Sequence, residues 1–166
     1  VSVENNRLRS CEEKDDPGFC IRAIRNGAVG YARGQIVSSD ALANAAKDAA
    51  ANAAGAQPDP DFVSLPQPAG YSAAEGLYDD AVAALTPSAI TPWAIQCVES
   101  ALAERGDVAL KADISVTAGS CAIVNSLGVA ASEKYSFVSV ALFAIVRDGD
   151  DVGSYYDFTR GRRLAD

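Results

Sequence analysis

Carboxylates gather at two places in this chain: Glu12, Glu13, Asp15 and Asp16 near its start, and Asp148, Asp150 and Asp151 near its end. An Asp-x-Asp-Asp set has the oxygen donors for Ca²⁺, but neither cluster carries the remaining ligands of a calcium loop. Acids favour turns in any case, so both clusters read as solvated turn charge. The other reactive groups are Cys11, Cys20, Cys97 and Cys121. They form no Cys-x-x-Cys pair and no zinc-ribbon spacing. They read as reduced, partly buried small hydrophobes, which favours the cytoplasm; the alternative is a Cys11–Cys20 disulfide across a hairpin. The chain has His 0. A Ser/His/Asp triad, a Cys–His dyad and a His-rich zinc site are therefore excluded from this chain alone. Gly27, Gly30 and Gly34 are spaced as a hairpin, not as a phosphate-binding strand-to-helix turn. Asp79-Asp80 suits a helix start, and Trp93 suits core packing better than a ligand platform. No catalytic, cofactor-binding or metal residue is assigned.

The charge balance is acidic, 22 Asp+Glu against 14 Lys+Arg, for a net charge of −8 and a pI near 4.5. Nucleic-acid grooves gain from counterion release at a basic surface, so no direct nucleic-acid binding is expected. Arg7, Arg9, Arg22, Arg25 and Arg33 are a local exception; they alternate with apolar residues, as on the solvated face of strands. Arg160, Arg162 and Arg163 are another. No apolar run reaches the ~18 residues of a membrane span. With 166 residues and Met 0, the chain is expected to be part of a longer protein.

The elements follow from periodicity and turn chemistry. Val1, Val3 and Leu8 flank an Asn5-Asn6 turn. Phe19–Arg25 is a strand, Asn26-Gly27 a tight hairpin turn, and Ala28–Arg33 the return; together these read as one antiparallel meander. Ser38-Ser39-Asp40 caps a helix over about Ala41–Ala54, closed by Gly55, with Leu42, Ala45, Ala46, Ala49, Ala53 and Ala54 on its apolar side. So small a face buries little area and requires close approach to a sheet. Pro58, Pro60, Pro66 and Pro68 break the next stretch. A short helix over Asp79–Leu85 is expected, then one opened by Thr91-Pro92 and running to about Arg105, with Trp93, Ile95, Val98, Ala101 and Leu102 inward. Val108, Leu110, Ala112 and Ile114 alternate as a strand. Cys121–Val124, the Asn125–Gly128 turn, Val129–Tyr135 and the apolar Phe137–Val146 follow. The last reads as a central buried strand. Asp148–Asp151 turns into Val152–Phe158, whose Tyr155, Tyr156 and Phe158 are expected to pack on a part outside this chain.

The organisation is thus a strand meander plus helix over 1–56, a Pro-rich connection over 57–78, and a helix plus antiparallel strands over 79–166. The fold class is α+β, an antiparallel or mixed sheet with two main helices packed on it. The first and last sections either duplicate one hairpin unit or merely share turn chemistry.

Several of these segments, in order, resemble the TldD/PmbA family. Val3-Glu4-Asn5-Asn6, then Gly18–Ala23, then Asn26–Ala32 are similar to its opening strand, its "G-x-x-x-R-x" strand and its "G-x-x-G-[FY]-A" return. Ala41–Ala54 matches its Ala-rich helix. Asn125–Gly128 and Asp148-Gly149 match turns of its middle domain. Pro58–Pro60, Leu65-Pro66, Gly76–Asp79 and Phe158–Arg163 look closer to the PmbA (TldE) type. The resemblance implies a curved mixed sheet and a fragment that lacks the family's opening helix and first strand as well as a carboxy-terminal domain. TldD-type members resemble zinc metallopeptidases through a His-Glu-x-x-x-His motif beyond this region; PmbA-type members lack it and pair with a TldD-type subunit. The family acts on peptides, including modified precursors, and bears the name modulator of DNA gyrase. The implied role here is a non-catalytic scaffold and substrate-tunnel wall in a peptidase complex. Its partners would be a TldD-type subunit or a second copy, plus a peptide substrate. Zinc would be held by the carboxy-terminal domain or the partner subunit, and no membrane would be involved. The alternatives are part of an active TldD-type zinc metallopeptidase and a free-standing binding module.

Overall fold

The computed structural model describes residues 1–72 and 74–164. Ala73, within the Pro-rich connection, and Ala165 and Asp166, at the end of the third region, lie outside the described residues. In chain order the elements are β1 (Ser2–Glu4), β2 (Arg7–Ser10), β3 (Phe19–Arg25), β4 (Ala28–Gly34), α1 (Ser39–Gly55), α2 (Asp80–Ala83), α3 (Pro87–Glu104), β5 (Ala109–Val124), β6 (Ala130–Asp148) and β7 (Asp151–Gly161). They divide into two compact units, Val1–Glu13 with Gln67–Asp166, and Lys14–Pro66.

The first unit is an antiparallel sheet in the order β2-β1-β5-β6-β7. Asn5 and Asn6 turn β1 into β2 with φ of 49° and 62°, a region that Asn tolerates better than most residues. The Asn6 amide then pins this turn to the next strand. Its Nδ2 donates to the Val108 carbonyl at 2.7 Å, and its Oδ1 accepts from the Leu110 amide at 2.7 Å. Arg9 and Glu4 pair across the same hairpin. The alternation read from Val108 to Ile114 is observed: Val108, Leu110, Ala112 and Ile114 are buried. Of these, Ala112 and Ile114, with Val3, meet Ile90 and Ala94 of α3, and Trp93, Val98, Val140 and Leu142 pack around that centre. At the far end of α3, Arg105 holds Asp107 through two hydrogen bonds and donates to the Arg147 carbonyl at 3.0 Å. The guanidinium keeps the Asp107 carboxyl below the usual carboxylate range. Burial pushes the Cys97 thiol up.

In the second unit, β3 and β4 form a two-stranded sheet, with Asn26 and Gly27 at φ 52° and 79° in the turn. Such a hairpin is marginal by itself, and α1 covers one of its faces. Ser38 caps α1 by accepting from the Ala41 amide. The helix buries Ala45, Ala49 and Ala53, one residue per turn, against Gly30. A Cβ built on Gly30 would stand 2.2 Å from both the Ala49 carbonyl oxygen and the Ala53 nitrogen. The Ala face is therefore held by backbone-to-backbone approach that only Gly permits. The face is narrower than the sequence suggests, since Ala46 and Ala54 are exposed.

Several expectations are corrected. Of the four cysteines read as partly buried, Cys11, Cys20 and Cys121 are exposed and only Cys97 is partly covered. The first four strands do not form one meander: β1–β2 joins the five-stranded sheet, and β3–β4 stands as a separate one. The long helix begins a turn earlier than Thr91. Thr86 is its N-cap, with Pro87 in the first turn and Pro92 inside the helix. Pro92 costs the bond its missing N–H would make, while the Thr91 hydroxyl donates to the Pro87 carbonyl at 2.8 Å. Ile95, placed inward from the sequence, is 47% exposed. The apolar run Phe137–Val146 lies inside the sheet but is not buried on both faces. Residues on the α3 side, Val140 and Leu142, pack on the core, whereas Phe143 on the other side is exposed.

Candidate functional site

The first unit contains a cleft of about 790 Å³. It is built on the distal half of the β5–β6 hairpin. The ladder runs from Ala109↔Ile145 to Val124↔Ala130, well past the last β1 partner at Asp113 and the last β7 partner at Val138. Beyond those points the hairpin continues as a two-stranded arm to the Asn125–Gly128 turn. The Asn125 side chain accepts from the Leu127 and Val129 amides there. Along the arm Gly119 faces Tyr135, whose hydroxyl and ring edge lie over the glycine. An aromatic over a cross-strand glycine fixes the register and replaces the missing side chain.

Ala122, Ala130 and Ser132 give the cleft a floor of small side chains on one face of the arm, and Tyr71, Leu77 and Tyr78 rise beside it. The segment bearing the two tyrosines is tied to β6 at one point. The Ser136 amide donates to the Leu77 carbonyl at 2.9 Å, and the Asp79 amide donates to Ser136 Oγ at 2.8 Å. Arg162 Nη1 also donates to the Leu77 carbonyl. Ser136 is fully buried, so this bond anchors the segment where water cannot compete. Asp79 meanwhile caps α2 through the Ala81 and Val82 amides. The charged residues of the cleft are Glu133 and Lys134. Lys134 Nζ lies 5.5 Å from the centre of the Tyr78 ring, a cation–π distance. Adjacent strand residues point to opposite faces. Glu133 thus lies on the face away from Lys134, where it accepts from the Cys121 thiol.

The cleft offers a floor of small side chains, two tyrosine rings and one ammonium group as contacts. No imidazole stands by Cys121, and among the described residues no three His, Cys, Asp or Glu come together to hold a metal ion. The residues present therefore do not fit a zinc site. The acids of the first cluster, Glu12, Glu13, Asp15 and Asp16, are exposed in an irregular stretch. Asp148, Asp150 and Asp151 are exposed around the β6–β7 turn. Sequence reasoning missed the cleft. Its one available signal was the pair of tyrosines, Tyr71 and Tyr78, in an otherwise small and Pro-rich stretch.

Residues 1–53 match the family model described as PmbA/TldA metallopeptidase domain 1, and residues 79–166 match the PmbA/TldA metallopeptidase central domain. No curated protein matches significantly. Among solved structures, TldE from Thermococcus kodakarensis superposes with a TM-score of 0.92 at 21% identity over 98% of this chain. A Thermotoga maritima protein described as a modulator of a DNA gyrase superposes at 0.82, with 18% identity over 99% of this chain. The chain spans 37% of each of those solved chains.

Proposed function

Because the chain belongs to the PmbA/TldD metallopeptidase family, we propose that it is the non-catalytic scaffold and substrate-guiding wall of a peptidase complex. The observation that carries this reading is the match of residues 1–53 and 79–166 to the family's first and central domains, together with the superposition on TldE. The cleft supports it. A floor of Ala and Ser lets an extended backbone lie flat, and Tyr71, Tyr78 and Lys134 offer sequence-tolerant contacts. In this reading zinc and the hydrolytic step belong to a TldD-type partner subunit; zinc in the protein's own carboxy-terminal domain is the alternative of an active TldD-type peptidase. Strand β7 supports assembly: it is an edge strand with Tyr155, Tyr156 and Phe158 exposed by 69%, 61% and 52%, the kind of surface that partners cover. Four free cysteines suit a reducing compartment such as the cytoplasm.

Site-specific crosslinking tests the guiding role. A photoreactive p-benzoylphenylalanine replaces Ser132 on the cleft floor of the full-length protein, or the exposed Glu99 on α3 as a control. An unstructured peptide is added with a TldD-type subunit and illuminated. Adducts at position 132 and few at 99 are expected; equal yields at both positions overturn the reading.

A further inference from the structure

The hairpin of the second unit is basic within an acidic chain. Phe19–Gly34 holds Arg22, Arg25 and Arg33 and no acid, although the chain as a whole carries −8. The register sorts these cations by face. Arg22 pairs with Tyr31 and Cys20 with Arg33, so Arg22, Tyr31 and Arg33 share one face, with Arg25 on the other. The Arg25 face is the one α1 covers, because it includes Gly30. The opposite face therefore presents Arg22 and Arg33, both exposed, beside Tyr31 at 54% exposure. Neither arginine joins an ion pair among the described residues; the pairs there are Arg9–Glu4, Lys14–Asp16, Arg105–Asp107 and Lys111–Asp113. The acids of the same unit lie elsewhere: Asp15, Asp16, Asp59 and Asp61 in irregular segments, and Asp40 and Asp48 on α1.

We propose that this open face is a docking surface for an extended acidic protein segment with carboxylates two residues apart. Charge complementarity selects the ligand, and spacing sharpens it. Diagonal cross-strand neighbours such as Arg22 and Arg33 stand ~7–8 Å apart. Residues i and i+2 of an extended peptide stand about 6.6 Å apart and point to the same side. A Glu-x-Glu segment thus places one carboxylate on each guanidinium, a planar fork that accepts it bidentately. Tyr31 supplies an apolar surface for the residue beside the acids. A nucleic acid fits less well, because its affinity grows with the number of phosphates neutralised and two cations neutralise few.

The test uses the full-length protein and fluorescence anisotropy at low salt. The probes are a fluorescein-labelled Gly-Ser-Glu-Ser-Glu-Ser-Gly peptide, its Gln-for-Glu analogue, and a labelled oligothymidine. The acidic peptide is expected to bind and the Gln analogue not. Arg22→Gln or Arg33→Gln should each weaken binding roughly fivefold, the upper range for an exposed ion pair, and the double variant roughly 25-fold. Lys47→Gln, on the exposed side of α1, should change nothing. Arg22→Lys and Arg33→Lys should fall between wild type and Gln, since Lys keeps the charge and loses the fork. Unaltered circular dichroism checks that the variants fold. The proposal is overturned by absent binding, by equal binding of the Gln analogue, by indifference to both arginine variants, or by tighter binding of the oligothymidine.

Discussion

Replacing Gly30 by Ala adds one methyl group at the tightest contact of the second unit. The new Cβ would stand 2.2 Å from the Ala49 carbonyl oxygen and the Ala53 nitrogen and 2.9 Å from Ala53 Cα. All three are backbone atoms of α1, so no side-chain rotation relieves the overlap. Ordinary contact begins near 3.4 Å, which obliges the helix to withdraw by about 1.2 Å. A gap of that size forfeits roughly a quarter to a half of the dispersion energy along the seam. The seam is only Ala45, Ala49 and Ala53, so no larger side chain closes it again. Overpacking of this kind costs roughly 1–3 kcal/mol. The added loss of Ala burial, about 0.8 kcal/mol per methyl, raises the total towards about 4 kcal/mol. Restricting the unfolded chain returns only ~0.4–1 kcal/mol. We expect a net loss of about 2–3 kcal/mol, read as faster hydrogen exchange of the α1 amides and as a lower urea midpoint. Gly55→Ala is the control. Nothing lies within 4 Å of its Cβ position, and greater helix propensity makes it neutral or stabilising by up to ~1 kcal/mol. If Gly30→Ala costs under about 0.5 kcal/mol, or no more than Gly55→Ala, the close-approach argument is wrong.

Other predictions follow from single contacts. Ser136→Ala removes the acceptor of the Asp79 amide in a buried setting; a loss of roughly 1–3 kcal/mol in urea unfolding is expected, with weaker peptide crosslinking in the cleft. Thiol labelling at pH 7.5 should modify Cys11, Cys20 and Cys121 quickly and Cys97 slowly, because the first three are exposed and burial raises the Cys97 pKa. Peptide mapping by mass spectrometry reads the order. Asp107 titrates below its unfolded value of about 3.9 because Arg105 holds it. Its contribution is therefore present above that pH and lost as pH falls through the folded value. Asp107→Asn should lower the urea midpoint at pH 7, less so at high salt, and match wild type once the pH lies below the folded value. A deficit that persists there would contradict this assignment.

Much of the fold was legible because its signals are local. Asn26-Gly27 requires positive φ at both positions; Phe19–Arg25 precedes it as read, and the return read as Ala28–Arg33 runs one residue further, to Gly34. The alternation from Val108 to Ile114 named the buried face of β5 correctly. What failed was non-local. Nothing in the order of the first four strands tells that β1 pairs with β5, more than a hundred residues away, rather than with β3. Thr86-Pro87 and Thr91-Pro92 are the same start signal twice, and only packing of Ile90 into the core decides for the first. The cleft was illegible for a related reason. Its floor is made of Ala and Ser, which carry no chemical signature, and its shape depends on one buried hydroxyl, Ser136, holding an irregular segment in place. The resemblance to the TldD/PmbA family rested instead on the order of weak motifs, which survives where periodicity says little.

The most direct test of the central reading is peptide hydrolysis by the full-length protein, alone and together with a TldD-type subunit, with zinc and after chelation. The account predicts no cleavage by the protein alone, and cleavage by the pair that chelation abolishes and zinc restores. Zinc-dependent cleavage by the protein alone would contradict the scaffold assignment.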